Sequence, residues 1–206
     1  MIILVTGFEP FGGSAVNPSE QLAKKLAEMQ PLPAHRVEMR ILAVDLNQGP
    51  QALINALGEI HPEVVICLGE ATGRAAISIE RVAINLLDFR IPDNSGNQVI
   101  DAEIHPGGPA AYFSTLPVRE MKAAIEAVQV PAELSLSAGS YLCNQVMYTL
   151  LDYQKNNNYV RMAGFIHLPA LPEQIVGKRE VPSMSLETAY RGLVAALSCL
   201  SEVSES

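Results

Sequence analysis

Three side-chain types in this 206-residue sequence can combine into nucleophilic chemistry: a cysteine thiol, a histidine imidazole and a carboxylate that orients the imidazole. Of the three cysteines, Cys143 stands out by its context, LSLSAGSYLCN over 134 to 144, in which a strand pattern runs through small residues into a turn and then a helix. A thiol at a helix start feels the partial positive charge of unpaired amides, which favours the thiolate. The same amides can stabilise an oxyanion. Cys67 lies in the apolar run VVICL, and Cys199 borders the apolar stripe of the last helix pattern, with a subunit contact as its alternative. Both are expected to be structural.

Of the four histidines, only His167 ends an apolar strand pattern, in AGFIHLPALP, at the carboxyl edge where α/β sheets gather their chemistry. His35 and His61 sit beside prolines or charges in connecting segments, and His105 falls in a loop, IHPGGP. The carboxylates that could complete a triad are Glu70, Glu80, Asp88 and Asp101. Glu80 differs in being surrounded by Ile77, Ile79, Val82 and Ile84, so it is expected to be buried and to need a partner. That partner could be the imidazole, or simply Arg74 or Arg81.

The elements that must position these groups alternate between apolar runs and helical periodicity. This pattern predicts one domain over 1–206, an α/β/α sandwich around a largely parallel sheet. Strands are expected at 2–6, 36–43, 63–69, 132–138 and 160–167, with a β-rich stretch from Ile77 to Leu87. Helices are expected from Asn17-Pro18, at 47–59, 117–128, 143–156 and 185–201. From Asp88 to Pro109 a turn-rich excursion is too long for a routine connection, and such loops are often functional.

Composition narrows the function. A net charge of −8 opposes nucleic-acid and anionic-membrane partners, and no hydrophobic run is long enough to span a bilayer. Three widely spaced cysteines and no secretory pattern fit reduced thiols in a cytoplasmic protein, and no CxxC or HExxH motif suggests a metal.

Taken together, TGFEPFGG with Asn17-Pro18, RIPDN at 90 to 94, GRAAISIERVAIN at 73 to 85, SAGSYLCN and the His167 strand resemble the type I pyroglutamyl peptidases, or pyrrolidone carboxyl peptidases. The blocks occur in family order and span nearly the whole chain. The resemblance implies a mixed, largely parallel, phosphorylase/hydrolase-like sheet and a thiol hydrolase without cofactor. Its triad would be Glu80, Cys143 and His167, with Arg90 and the Cys143 amide near the oxyanion. Phe8 and Phe11 would enclose the five-membered lactam of an N-terminal pyroglutamyl peptide, Asn17 would bond its edge, and the backbone near Glu70 would accept the ring N–H. A homotetramer is also implied, with contacts near Tyr112, Phe113 and the 169–184 loop. Two positions depart from the family pattern: Glu70, where a neutral residue is usual, and Tyr141, where phenylalanine is expected.

Two other functions are compatible with parts of the sequence. A nucleoside phosphorylase or hydrolase could use the Gly12-Gly13 turn on phosphate or ribose, but would leave the thiol, imidazole and carboxylate without purpose. A non-catalytic binder of 5-oxoproline would keep Phe8, Phe11 and Asn17 and need no thiolate.

Overall fold

The sequence IILVTGF forms the first strand, β1 (Ile2–Phe8), buried from Ile3 onward. Burial on both faces is the mark of a central strand covered by helices on each side. Asn17 ends the loop that follows. Its side chain accepts from the Ser19 N–H, with Pro18 at the first helical position, and this starts α1 (Pro18–Met29). The chain continues through β2 (Arg36–Leu42), α2 (Gln48–Ile60), β3 (Val64–Glu70) and β4 (Ile77–Glu80). It proceeds through β5 (Val82–Ile84), β6 (Ala111–Phe113), α3 (Val118–Ala127) and β7 (Ala132–Ser135), and ends in α4 (Leu142–Lys155), β8 (Met162–Leu168) and α5 (Leu186–Ser198). The computed structural model describes residues 1–200.

Six strands make one sheet in the order β2-β1-β3-β8-β4-β7. Every pairing in it is parallel except β4 with β8. One face packs Leu22, Leu26, Ile125, Leu193 and Leu197 from α1, α3 and α5. The other packs Leu53, Leu57, Val146 and Leu150 from α2 and α4. The result is the expected single-domain α/β/α sandwich, with a core on each side of the sheet.

Three local expectations change. The β-rich stretch from Ile77 to Leu87 divides at Arg81: β4 is wholly buried in the main sheet, whereas β5 pairs with β6 in a separate two-stranded antiparallel sheet. The physical cause is exposure, since Ile84 lies on the surface and cannot continue a central strand. The strand expected over 132–138 stops at Ser135, because Leu136 turns outward and Gly139 takes φ 80 on the way into α4. The helix expected to reach residue 201 ends at Ser198, and residue 201 lies outside the described residues.

The excursion after β5 is ordered by its own polar groups. Asp93 accepts from the backbone N–H groups of Leu46, Ser95 and Asn97. Leu87 and Ala102 bridge, and Asn85 both donates to the His105 carbonyl and accepts from its N–H.

Candidate active site

The sheet brings Glu80 and His167 together by register. Glu80 stands opposite Phe165 across the β4–β8 pair and His167 opposite Ser78, which puts the two side chains diagonally on one face. Glu80 is fully buried and His167 is 4% exposed. The imidazole Nδ1 lies 2.8 Å from Glu80 Oε1. With the carboxylate ionised, Nδ1 carries the proton and donates it, which leaves Nε2 as the basic nitrogen.

The same Oε1 accepts from Arg74 Nη1 at 2.7 Å, while Arg74 Nη2 donates to the Ser137 carbonyl at 3.0 Å. Of the partners considered for Glu80, the imidazole and Arg74 are therefore both present, bonded to one oxygen. From the sequence alone Arg74 is an alternative to the imidazole, not its companion. Its position six residues before Glu80 in GRAAISIE was the available signal.

Cys143 is the second residue of α4, so its N–H belongs to a first turn that has no intrahelical acceptor. Its neighbour Asn144 fixes that turn, donating to the carbonyls of Ile84 and Leu86 and accepting from the Ile84 N–H. The thiol rests on Gly69 of β3. A Cβ placed there would come within 2.9 Å of Cys143 Sγ and 2.7 Å of the Phe165 ring. Gly69 is the parallel register partner of His167, and such partners present the same face. Sulfur and imidazole thus share one side of the sheet.

The electrostatics correct one expectation. Burial, followed by the nearby Glu80 carboxylate, pushes the Cys143 thiol up to about 12, and Arg74 offsets only part of this. Desolvation outweighs the helix terminus, and the resting sulfur is protonated. Burial also holds His167 below its usual 6.5, against the upward pull of Glu80. Burial opposes the charge on Glu80, but the hydrogen bond and charge of His167, with the hydrogen bond from Arg74, leave its carboxyl below the usual value. The resting site is a neutral thiol and neutral imidazole beside a carboxylate.

Beside the sulfur is a recess of about 20 Å³ lined by Phe8, Phe11, Asn17, Glu70, Tyr141 and Cys143. The four residues expected to hold a lactam therefore meet Cys143 in one wall. Asn17 both caps and lines: Oδ1 accepts from Ser19 N and Oγ, and Nδ2 donates to the Glu9 carbonyl. One amide hydrogen is left over. Phe8 also belongs to the buried core, whereas Phe11 is partly exposed.

Arg90 is not among the recess residues. It is exposed and lines a larger adjoining cavity of about 630 Å³. The Glu70 carboxylate accepts from Thr72 Oγ1 and Gln174 Nε2 at 2.6 and 2.9 Å. The Tyr141 hydroxyl points at the Pro92 carbonyl, 3.2 Å away, and its ring packs edge-on against Phe89.

The remaining candidates lie elsewhere. Asp88 and Asp101 are exposed. His105 pairs with Asp152 at 3.2 Å, and His61 ends α2 in the left-handed region. Cys67 is buried in β3, and Cys199 directs its thiol to the Ala196 carbonyl. Among the described residues no group of three or more His, Cys, Asp or Glu could hold a metal ion.

Comparison with known proteins identifies the family. The family model for pyroglutamyl peptidases matches residues 1–203. Pyrrolidone-carboxylate peptidase from Pyrococcus furiosus is 45% identical over 201 residues, covering 96% of each chain. Pyrrolidone-carboxylate peptidase 1 from Photorhabdus laumondii is 47% identical over 200 residues, covering 95% of this chain and 90% of that one. The crystal structure of the Pyrococcus furiosus pyrrolidone carboxyl peptidase superposes with a TM-score of 0.94, covering 98% of this chain and 99% of the other. The buried imidazole–carboxylate pair, the thiol above Gly69 and the match along the whole chain have one explanation: this protein belongs to the pyroglutamyl peptidase family, enzymes that act on peptide bonds.

Proposed function

We propose that the protein removes the N-terminal pyroglutamyl residue from peptides by thiol catalysis, with Cys143 as nucleophile, His167 as base and Glu80 as its orienting carboxylate. The observation that carries this reading is the shared wall of the recess, where Cys143 adjoins Phe8, Phe11, Asn17 and Glu70. As the sulfur attacks the pyroglutamyl carbonyl, His167 Nε2 takes the thiol proton and Glu80 stabilises the imidazolium. The carbonyl oxygen becomes an oxyanion, received by the Cys143 N–H with Arg90 at the cavity side. Collapse breaks the C–N bond, the imidazolium protonates the leaving amine, and a thioester remains. Water deprotonated by Nε2 then cleaves the thioester to 5-oxoproline and free thiol.

A neutral resting pair suits this order of events. The thiol is ionised only when a carbonyl is there to take the sulfur, which limits adventitious oxidation. Phe8 and Phe11 supply apolar faces to the lactam ring, the spare Asn17 amide hydrogen meets the ring carbonyl, and the backbone near Glu70 accepts the ring N–H. A prolyl residue lacks the ring carbonyl and brings a charged amine, so those polar groups are left unpaired against it.

The chemistry needs no metal or organic cofactor. We further propose a cytoplasmic homotetramer. No described helix is long and apolar enough to cross a membrane. Its contacts would centre on Phe113, which is 70% exposed, rather than Tyr112, whose hydroxyl donates to Asp152 and whose ring is buried.

The reading is tested by release of aminomethylcoumarin from its pyroglutamyl and prolyl derivatives, with and without iodoacetamide. Release from the pyroglutamyl derivative alone, lost on alkylation, is the expected result. Release from both, or release indifferent to alkylation, contradicts it.

A further inference from the structure

The cavity of about 630 Å³ next to the recess shares Phe11 and Glu70 with the recess wall and extends beyond them. The larger cavity meets the recess that holds Cys143 at those two residues, so it is open space beside a carbonyl seated at the sulfur. A volume within the roughly 300–1,000 Å³ of small-ligand sites accommodates one or two residues. Four charged residues line it: Glu70, Glu173, Arg90 and Lys178. None of the four is in an ion pair among the described residues.

These charges are not equivalent. Glu173, Arg90 and Lys178 are exposed, so water screens them, and each sits only on the larger cavity. Glu70 is partly buried and borders both cavities. Its two oxygens are fixed by neutral donors, Thr72 and Gln174, and Gln174 is itself tied to the Ser14 hydroxyl and the Val16 carbonyl. A carboxylate has about four acceptor positions, so this one retains capacity for a further donor. It is a held carboxylate without an ion-pair partner where the two cavities meet.

We propose that this cavity receives the leaving peptide, and that Glu70 selects a cationic side chain on the residue directly after the pyroglutamyl group. The assignment rests on the pyroglutamyl-peptidase reading and deepens it. Lysine or arginine at that position places its cation against Glu70, while an acidic side chain meets like charge.

The test is kcat/KM for the C-terminally amidated dipeptides pyroglutamyl-lysine, pyroglutamyl-glutamine and pyroglutamyl-glutamate at low ionic strength. Amidation removes the terminal carboxylate, so only the side chain differs in charge. Wild type is expected to prefer lysine over glutamate by on the order of tenfold, with glutamine between, and the preference should shrink with added salt. In Glu70→Gln, which keeps the shape of the side chain, the ratio should fall toward one. A wild-type ratio near one, or a ratio that survives Glu70→Gln, overturns the proposal. So does a larger change in ratio from Glu173→Gln than from Glu70→Gln. If folded wild type releases nothing even from the glutamine substrate, the pyroglutamyl reading falls together with this one.

Discussion

His167 is held between two opposing influences, and its pH behaviour follows from them. Burial lowers its pKa and the Glu80 carboxylate raises it, with the net value below 6.5. Only the neutral imidazole can take the Cys143 proton, so activity is present above that lowered value and lost as pH falls through it. The acid limb of kcat/KM is therefore expected below pH 6.5, as read from a pH–rate profile. Glu80→Gln removes the influence that raises the imidazole, so its acid limb should move to still lower pH. Its kcat should fall by on the order of 10²- to 10⁴-fold, because tautomer and orientation are no longer enforced. Arg74→Met acts in the opposite sense: Arg74 lowers both His167 and Cys143, and its loss should move the acid limb upward. A limb that stays put in both variants would show that the imidazole is not the titrating base. At this scale the sequence was informative about identity and weak about state. The placing of Cys143 at a helix start, of His167 near a strand end and of Glu80 in the interior was legible from neighbouring residues, whereas the raised thiol pKa was not, since desolvation depends on which elements cover the sulfur.

At the scale of elements, the site depends on close approaches that only the fold creates. Gly69 lets α4 lower the sulfur onto β3, and a Cβ there would meet Cys143 Sγ at 2.9 Å. Gly69→Ala must push the thiol or the Phe165 ring aside, and a displacement of about 1 Å costs on the order of 10²-fold in kcat. Single-turnover kinetics on a variant with native circular dichroism would check this. The excursion between β5 and β6 depends on Asp93, which is 6% exposed and accepts three backbone N–H groups. Asp93→Ala strands those donors, at a cost of about 1–3 kcal/mol for each one left unsatisfied, and should lower the melting temperature. Burial resists the Asp93 charge, but its hydrogen bonds hold the pKa below 3.8, so the stabilisation is present above that pH and lost as pH falls through the lowered value. The wild-type advantage over Asp93→Ala should therefore narrow in strong acid. The main strands and helices were readable from their periodicity. The division at Arg81 and the short β6 were not, because a run such as ISIERVAI is apolar whether it stays in one sheet or changes to another.

At the scale of the whole molecule, the six-stranded sheet buries two cores and leaves a few large apolar side chains outside. Phe113, 70% exposed, is the most conspicuous on the small second sheet. If that face joins copies of the chain, Phe113→Lys should shift the protein to smaller species in sedimentation velocity while the far-ultraviolet spectrum is kept. An unchanged sedimentation coefficient would move the interface elsewhere. Fold class and family were legible because separated blocks extend along the chain in order. The cavity next to the recess was not, since its walls come from the 11–16 loop, the end of β3, Arg90-Ile91 and the loop before α5, which meet only after the sheet has formed.

The central claim is that Cys143 becomes acylated by the pyroglutamyl group, and its most direct test is intact-protein mass spectrometry of enzyme acid-quenched during turnover of a pyroglutamyl ester. The account predicts a mass increase of one pyroglutamyl group, mapped to the peptide that holds Cys143 and absent from Cys143→Ala. An adduct on Cys67 or Cys199, or turnover by Cys143→Ala at the wild-type rate, would contradict it.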